Sequence, residues 1–217
     1  MSPKKLENKA HEIYQRLAGK YPHATIELNY SNPLELTVAT ILSAQCTDKK
    51  VNKITPYLFQ KYQSPADYLK VPRSELEDDI RPLGFYRRKS ESLQKLMEEL
   101  RKNHNSKIPQ DIDSLTALPG IGRKTANIIL GNAFGIPGIA VDTHVKRVSN
   151  RLGLSTEKTP EKIEQDLMEL YPTKSIWTDL SHLLVFHGRY TCKAAKPACR
   201  ECPVTDLCNY YNNSGNS

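Results

Sequence analysis

Leu118-Pro119-Gly120-Ile121-Gly122-Arg123-Lys124-Thr125-Ala126 joins a short helical stretch to a long amphipathic one, and its reading decides the fold. Two glycines one residue apart let the backbone turn tightly and leave N–H groups pointing outward at a helix start. Unpaired amides and the positive end of the helix dipole suit an anion there. The spacing before the lysine excludes a nucleotide-binding P-loop, and no strand precedes it. An ordinary helix-connecting turn accounts for the local chemistry equally well. Lys124 stands in the first helical turn, where a cation opposes the dipole, and spacing alone favours a solvated or phosphate-contacting lysine over a nucleophile. Asp142 follows eighteen residues later. A helix of about 14 residues advances ~21 Å, and residues 136–142 reach back ~23 Å if extended, so the two side chains can meet. Asp142 would then cap the next helix, a role worth about 1 kcal/mol by itself. An amine and the single carboxylate between Leu118 and Arg151 also have the makings of an activated nucleophile with its helper.

Outward from the hairpin, the apolar pattern is helical nearly everywhere. Leu34, Val38, Ile41 and Leu42 share one face behind Asn32-Pro33-Leu34-Glu35, where Asn32 can cap, Pro33 suits the first helical position and Glu35 can complete a capping box. Leu93, Leu96, Met97 and Leu100 repeat at helical spacing, as do Ala126, Ile129, Leu130, Ala133 and Phe134. Thr159-Pro160 opens a helix carrying Ile163, Leu167 and Leu170, and Ser175 is placed to cap the next, with Ile176, Leu180, Leu183 and Leu184 inward. Ile26, Leu28 and Tyr30 alternate like a strand without a partner. The pattern predicts an all-α fold, with a polar tail fraying after Tyr211. Weak breaks near Pro22 and at Gly135-Ile136-Pro137-Gly138 divide it into two helical lobes with a cleft between them. One lobe is discontinuous, residues 1–24 with 137–217; the other is residues 25–136 and ends in the helix-hairpin-helix at 113–135.

Four cysteines, Cys192, Cys199, Cys202 and Cys208, stand in the spacing C-x6-C-x2-C-x5-C within a loop over residues 187–210. Four thiolates suit zinc or a [4Fe-4S] cluster. Structural zinc usually takes two tight pairs, whereas only Cys199 and Cys202 are closely paired here, and that asymmetry favours the wider iron-sulfur cluster. Zinc and disulfides are the alternatives, the unpaired Cys46 arguing against an oxidising compartment.

The 217 residues carry a net charge of +7, which permits a polyanionic partner without requiring one. Distribution is more informative. Five Lys/Arg accompany the single acid between Leu118 and Arg151, and Arg189 to Arg200 holds four basic residues and no acid. Two basic stretches flanking a glycine hairpin and a cysteine loop point toward nucleic acid. No segment reaches the ~20 apolar residues of a membrane span, and the start lacks the apolar region of a secretion signal, so an intracellular monomer in the cytoplasm, associated with the nucleoid, is expected.

The hairpin resembles the helix-hairpin-helix of the DNA glycosylase superfamily. With Val141-Asp142-Thr143-His144-Val145, Leu42-Ser43-Ala44-Gln45 and the cysteine loop, the chain is similar to the endonuclease III family from about residue 5 to 210. The resemblance implies a bifunctional glycosylase and abasic-site lyase acting on oxidised pyrimidines in duplex DNA, with Lys124 the nucleophile, Asp142 its acidic partner and a [4Fe-4S] cluster on the four cysteines. It implies that Gln45 fills the gap left by an extruded nucleotide and that Phe85, in Leu83-Gly84-Phe85-Tyr86, is an apolar wedge. Burial habits alone would place Phe85 in the core and leave Gln45 an ordinary polar residue. Gly120, Gly122 and Arg123 would contact phosphate, as would Lys193, Lys196 and Arg200 on the cysteine loop. Arg87-Arg88-Lys89 would add basic contacts beside the wedge. His144 is placed to touch a phosphate or the pocket, or to serve as a structural histidine; His182 and His187 read as helix-packing residues. Cys46 reads as a small buried residue. A monofunctional mismatch glycosylase of the same superfamily, or a non-catalytic DNA-binding metal protein, would need no amine at position 124.

Overall fold

The computed structural model describes residues 3–213, and every regular element among them is helical. The Ile26, Leu28, Tyr30 alternation forms no strand among the described residues; Tyr30 is instead tied by its hydroxyl to the Asn132 carbonyl at 2.9 Å. The chain divides into two compact units, Glu27–Ile136 and a discontinuous one of Met1–Ile26 with Pro137–Ser217.

The continuous unit is built around α2 (Pro33–Leu42), whose residues from Leu36 to Leu42 are all buried. A helix covered on every side must satisfy its polar groups internally. Thr37 and Thr40 do so by donating their hydroxyls to the carbonyls of Pro33 and Leu36, each at 2.8 Å. Asn32 accepts the Glu35 N–H at 3.0 Å, but the Glu35 carboxylate reaches past the cap to the Ser31 N–H at 2.6 Å, so the expected capping box closes one residue early. Around α2 pack α3 (Asp48–Lys61), α6 (Tyr86–Asn103) and α8 (Arg123–Ala133). The short helices α4 (Pro65–Lys70) and α5 (Arg73–Ile80) cover α6, and α7 (Ile112–Ala117) packs on α8. Leu93, Leu96, Met97 and Leu100 of α6 are fully buried. Helix α8 runs 11 residues rather than the expected fourteen. Gly135 at φ 65° ends it, with the Ile136 N–H returning to the Leu130 carbonyl at 3.0 Å, a left-handed cap that glycine adopts without steric cost.

The discontinuous unit packs α1 (Pro3–Lys20) with α9 (Thr143–Leu152), α10 (Pro160–Leu170), α11 (Trp177–Tyr190) and α12 (Asn209–Asn213). Ala10, Ile13 and Leu17 of α1 share one core with Ile163 and Leu167 of α10 and Leu180 and Leu184 of α11. Ser175 does not cap α11: it lies in a 3₁₀ turn, Lys174–Ile176, that runs into the helix, so Ile176 occupies the cap position without a side-chain bond. The chain stays helical past Tyr211 to Asn213, and the rest of the expected frayed tail lies outside the described residues. No described helix is long and apolar enough to cross a membrane.

Candidate active site and metal centre

In the hairpin the two glycines do different work. Leu118 to Ile121 closes a four-residue turn, the Ile121 N–H meeting the Leu118 carbonyl at 3.2 Å. Gly120 at its third position has φ 81°, as a type II turn with proline second requires. A Cβ on Gly120 would lie 3.3 Å from Cβ of Ser92 on α6 and 3.9 Å from Ile41 of α2, so the turn sits directly on those helices. Gly122 is extended and is the N-cap of α8; nothing would meet a Cβ there. Leu118 and Ile121 anchor the hairpin in the core, while Gly120, Gly122, Arg123 and Lys124 are exposed. A side-chain-free cap over the first-turn amides, with an exposed amine on the first turn, is an anion-receptive surface.

Four exposed residues of this unit other than glycine have positive φ: Asn105 and Ser106, in the turn after α6, and two that flank α2 and α6. Gln45, just beyond α2, has φ 53°, and Phe85, just before α6, has φ 49°. Left-handed conformations are uncommon for residues other than glycine and outlying for bulky ones. Phe85 is 58% exposed, so burial does not explain it. The structure corrects one expectation beside it: Arg87 and Arg88 are exposed, but Lys89 is 5% exposed and lies too deep to touch a phosphate. Cys46 is half-buried.

On the other unit, Asp142 caps α9. Its Oδ1 accepts the N–H groups of both His144 and Val145 at 2.8 Å. One oxygen therefore holds the helix start, and Oδ2 is not needed for the cap. His144 Nδ1 lies 3.1 Å from the Arg147 guanidinium, which also donates to the Gly188 carbonyl at 2.8 Å and the Cys192 carbonyl at 3.1 Å. Gly188 is buried against α9: a Cβ on it would lie 2.8 Å from His144 Cβ, so only glycine lets α11 and α9 approach this closely.

The four cysteines line one cavity with His187 and Tyr211, and none is in a disulfide. Burial, then the neighbouring sulfurs of Cys192 and Cys208, push the Cys199 thiol up; burial likewise raises Cys202. Thiols so placed ionise together only when a cation compensates them. Among the described residues no three His, Cys, Asp or Glu side chains converge on a point that one ion could occupy. Four free thiols lining one cavity are a donor set that suits either zinc or an iron-sulfur cluster. His187 adjoins the same cavity, with Nε2 3.6 Å from Cys202 Sγ and Nδ1 3.2 Å from the Tyr21 hydroxyl, and burial lowers its pKa to about 4. It is thus a neutral neighbour of the thiols, more than a packing residue. Lys193, Lys196 and Arg200 are exposed on the loop.

Several contributors were hidden in the basic stretches. Arg151 donates to the Lys193 carbonyl at 2.7 Å, the Ala194 carbonyl at 2.9 Å and Cys192 Sγ at 3.4 Å, with its guanidinium 4.6 Å from the Tyr210 ring centre. Lys146 donates to the Lys158 carbonyl at 2.5 Å. Lys146, Arg147 and Arg151, of the basic residues between Leu118 and Arg151, are therefore engaged within their own unit. The i, i+4 spacing of Arg147 and Arg151 was the available sign that they share a face toward one partner.

The family model of the HhH-GPD superfamily of base excision DNA repair proteins matches residues 38–173. Endonuclease III of Bacillus subtilis (strain 168) is 50% identical over 194 residues, covering 89% of this chain and 88% of its own. The solved structure of a trapped endonuclease III–DNA covalent intermediate, an estranged-adenine complex, superposes with a TM-score of 0.91 at 46% identity, covering 95% of this chain and 97% of that one. A thermostable thymine-DNA glycosylase shares the fold, with a TM-score of 0.87, at 24% identity and coverage of 95% and 98%. The chain belongs to the HhH-GPD superfamily of base excision DNA repair proteins and, within it, to the endonuclease III family.

Proposed function

We propose that this protein is a DNA glycosylase and abasic-site lyase that excises oxidised pyrimidines, such as thymine glycol, from duplex DNA in base excision repair. The observation that carries the reading is Lys124: an exposed amine on the first turn of α8, beside a turn built to receive phosphate, in a family with a relative captured as a covalent DNA intermediate. A stacked nucleotide gives no access to C1′, so it must be extruded. Gln45 and Phe85, exposed on two strained loops, are suited to occupy the vacated stack. The Lys124 amine attacks C1′, forming a C–N bond as the damaged base leaves with the glycosidic electron pair. Opening of the sugar ring gives an imine, which acidifies the C2′ protons. Removing one of them expels the 3′ oxygen and severs the strand. Asp142, held by Oδ1 and offering Oδ2, stabilises the cationic transition state or takes a proton. The hairpin amides of Gly120 and Gly122, with Arg123 and His144, supply phosphate contacts that set the register. The test is borohydride reduction during reaction with an abasic-site duplex: a covalent adduct is expected, and its absence rules out imine chemistry.

Replacing Gln45 and Phe85 together with alanine should lower excision of a damaged base from duplex by about tenfold or more, because one misplaced contact can cost that much. Cleavage of an abasic site that already lacks its base should fall far less. Equal losses on the two substrates would mark a general folding defect instead.

The family is one with a metal cluster, and we read the cluster here as [4Fe-4S] on Cys192, Cys199, Cys202 and Cys208. Such a group supplies a covalent cross-link to the loop, and four protein ligands leave no open position for water or substrate. We propose that it presents Lys193, Lys196 and Arg200 to the backbone of duplex DNA, and that this binding associates the protein with the nucleoid. Neutralising the three should weaken binding and reduce the slope of log affinity against log salt by about one per lost contact. An unchanged slope would remove that surface from the interface. The purified protein should be yellow-brown; a colourless, active protein with stoichiometric zinc would overturn the cluster assignment.

A further inference from the structure

Lys89 is a buried ammonium that none of these steps uses. Burying such a group is costly unless its protons find acceptors. Its Nζ donates to the Leu42 carbonyl at 2.8 Å and the Leu83 carbonyl at 3.0 Å. Leu42 is the last residue of α2, where carbonyls lack intrahelical partners and a cation is favoured, and it lies three residues before Gln45. Leu83 closes the 3₁₀ turn Arg81–Leu83, two residues before Phe85. The backbone N–H of Lys89 itself meets the Phe85 carbonyl at 3.0 Å. One residue thus bonds both segments that lead into the left-handed positions. Such backbone persists only where its surroundings over-determine it. Burial holds the Lys89 ammonium below its usual range, an effect that the nearby Cys46 sulfur opposes.

We infer that Lys89 is a positioning residue that fixes the spacing between the Gln45 loop and the Phe85 loop, so that both side chains enter a duplex together. The inference rests on the reading of Gln45 and Phe85 as the residues that fill the stack. Arg87 and Arg88, its exposed neighbours, are left to meet solvent or phosphate, while the third member of the basic run works from inside.

The test compares Lys89→Met, which keeps an unbranched flexible stem but leaves both carbonyls without their donor, with Lys89→Gln, which keeps two N–H groups; both arms are one atom shorter than that of lysine. In the full-length, metal-loaded protein, three rates are measured: excision of thymine glycol from duplex, cleavage of a preformed abasic site in duplex, and cleavage of the same site in a single strand. Lys89→Met should lose about tenfold or more on the first and little on the third, with Lys89→Gln intermediate. Adding Lys89→Met to the Gln45→Ala, Phe85→Ala protein should cost nothing further, since residues acting through one another are not additive. Equal losses on all three substrates, or full additivity, would overturn the inference. If Lys89→Met does not melt cooperatively, Lys89→Gln decides by the same comparison. A normal alanine pair would remove the stack-filling reading, and this inference with it. A defective pair beside normal Lys89 variants would overturn the inference alone.

Discussion

Lys124→Gln is expected to form no borohydride-stable adduct with an abasic-site duplex and to lose strand cleavage by about 10³-fold or more. Glutamine keeps a polar, hydrogen-bonding end on a stem one atom shorter, but its amide nitrogen is no nucleophile. Because Lys124 is exposed on the first turn of α8, where a cation opposes the helix dipole, neutralising it should leave the melting temperature unchanged or slightly raised. Duplex binding should persist, the hairpin amides being intact. Retained trapping would show that another amine attacks C1′ and would return Lys124 to the role of a phosphate contact.

Asp142→Asn separates two jobs that one carboxylate can hold. Asparagine caps as well as aspartate, and its Oδ1 can accept from the N–H groups of His144 and Val145 as Asp142 Oδ1 does. The fold should therefore be kept, while turnover falls by about 10²- to 10⁴-fold for want of the negative charge. Asp142→Ala should lose the cap as well, about 1 kcal/mol of stability. Thermal melts and single-turnover rates on the two variants give the answer. If the rate loss in Asp142→Asn came with a matching loss of stability, the residue would be a cap and no more.

The parts of the site that were legible in the sequence are those in which backbone geometry dictates residue type. The turn at Gly120 needs a positive φ and glycine supplies it; the start of α9 needs an acceptor and Asp142 supplies it. The four cysteines were legible for another reason, their close spacing in one loop, and they do line one cavity. What could not be read is which charges face inward. Lys89 follows two arginines and looks like a third surface cation, and only the fold reveals that it meets two carbonyls from segments 47 and 6 residues away. Arg147 and Arg151 likewise counted as an external basic patch, yet both bond the carbonyls of the cysteine loop. Helix α8 ends at Ala133 although its apolar repeat runs on to Phe134, because Gly135 turns the chain directly after that cap. Gly188 carries no motif, since the close approach of His144 that requires glycine is a property of two helices far apart in sequence.

The split of the discontinuous unit has a consequence in time. The Tyr171 hydroxyl donates to the Ala10 carbonyl across 161 residues of chain, which at ~5–20 residues per second take roughly 8–32 s to synthesise. For most of that interval α1 lacks the helices it packs on, because α9 begins only at Thr143, α10 at Pro160 and α11 at Trp177. The unit over Glu27–Ile136 is contiguous and can close in the meantime. The composition of α1 suits the wait: among its described residues the buried stripe is Ala10, Ile13 and Leu17, and Lys4, Lys5, Glu7, Lys9, Glu12, Arg16 and Lys20 leave the rest of its surface charged.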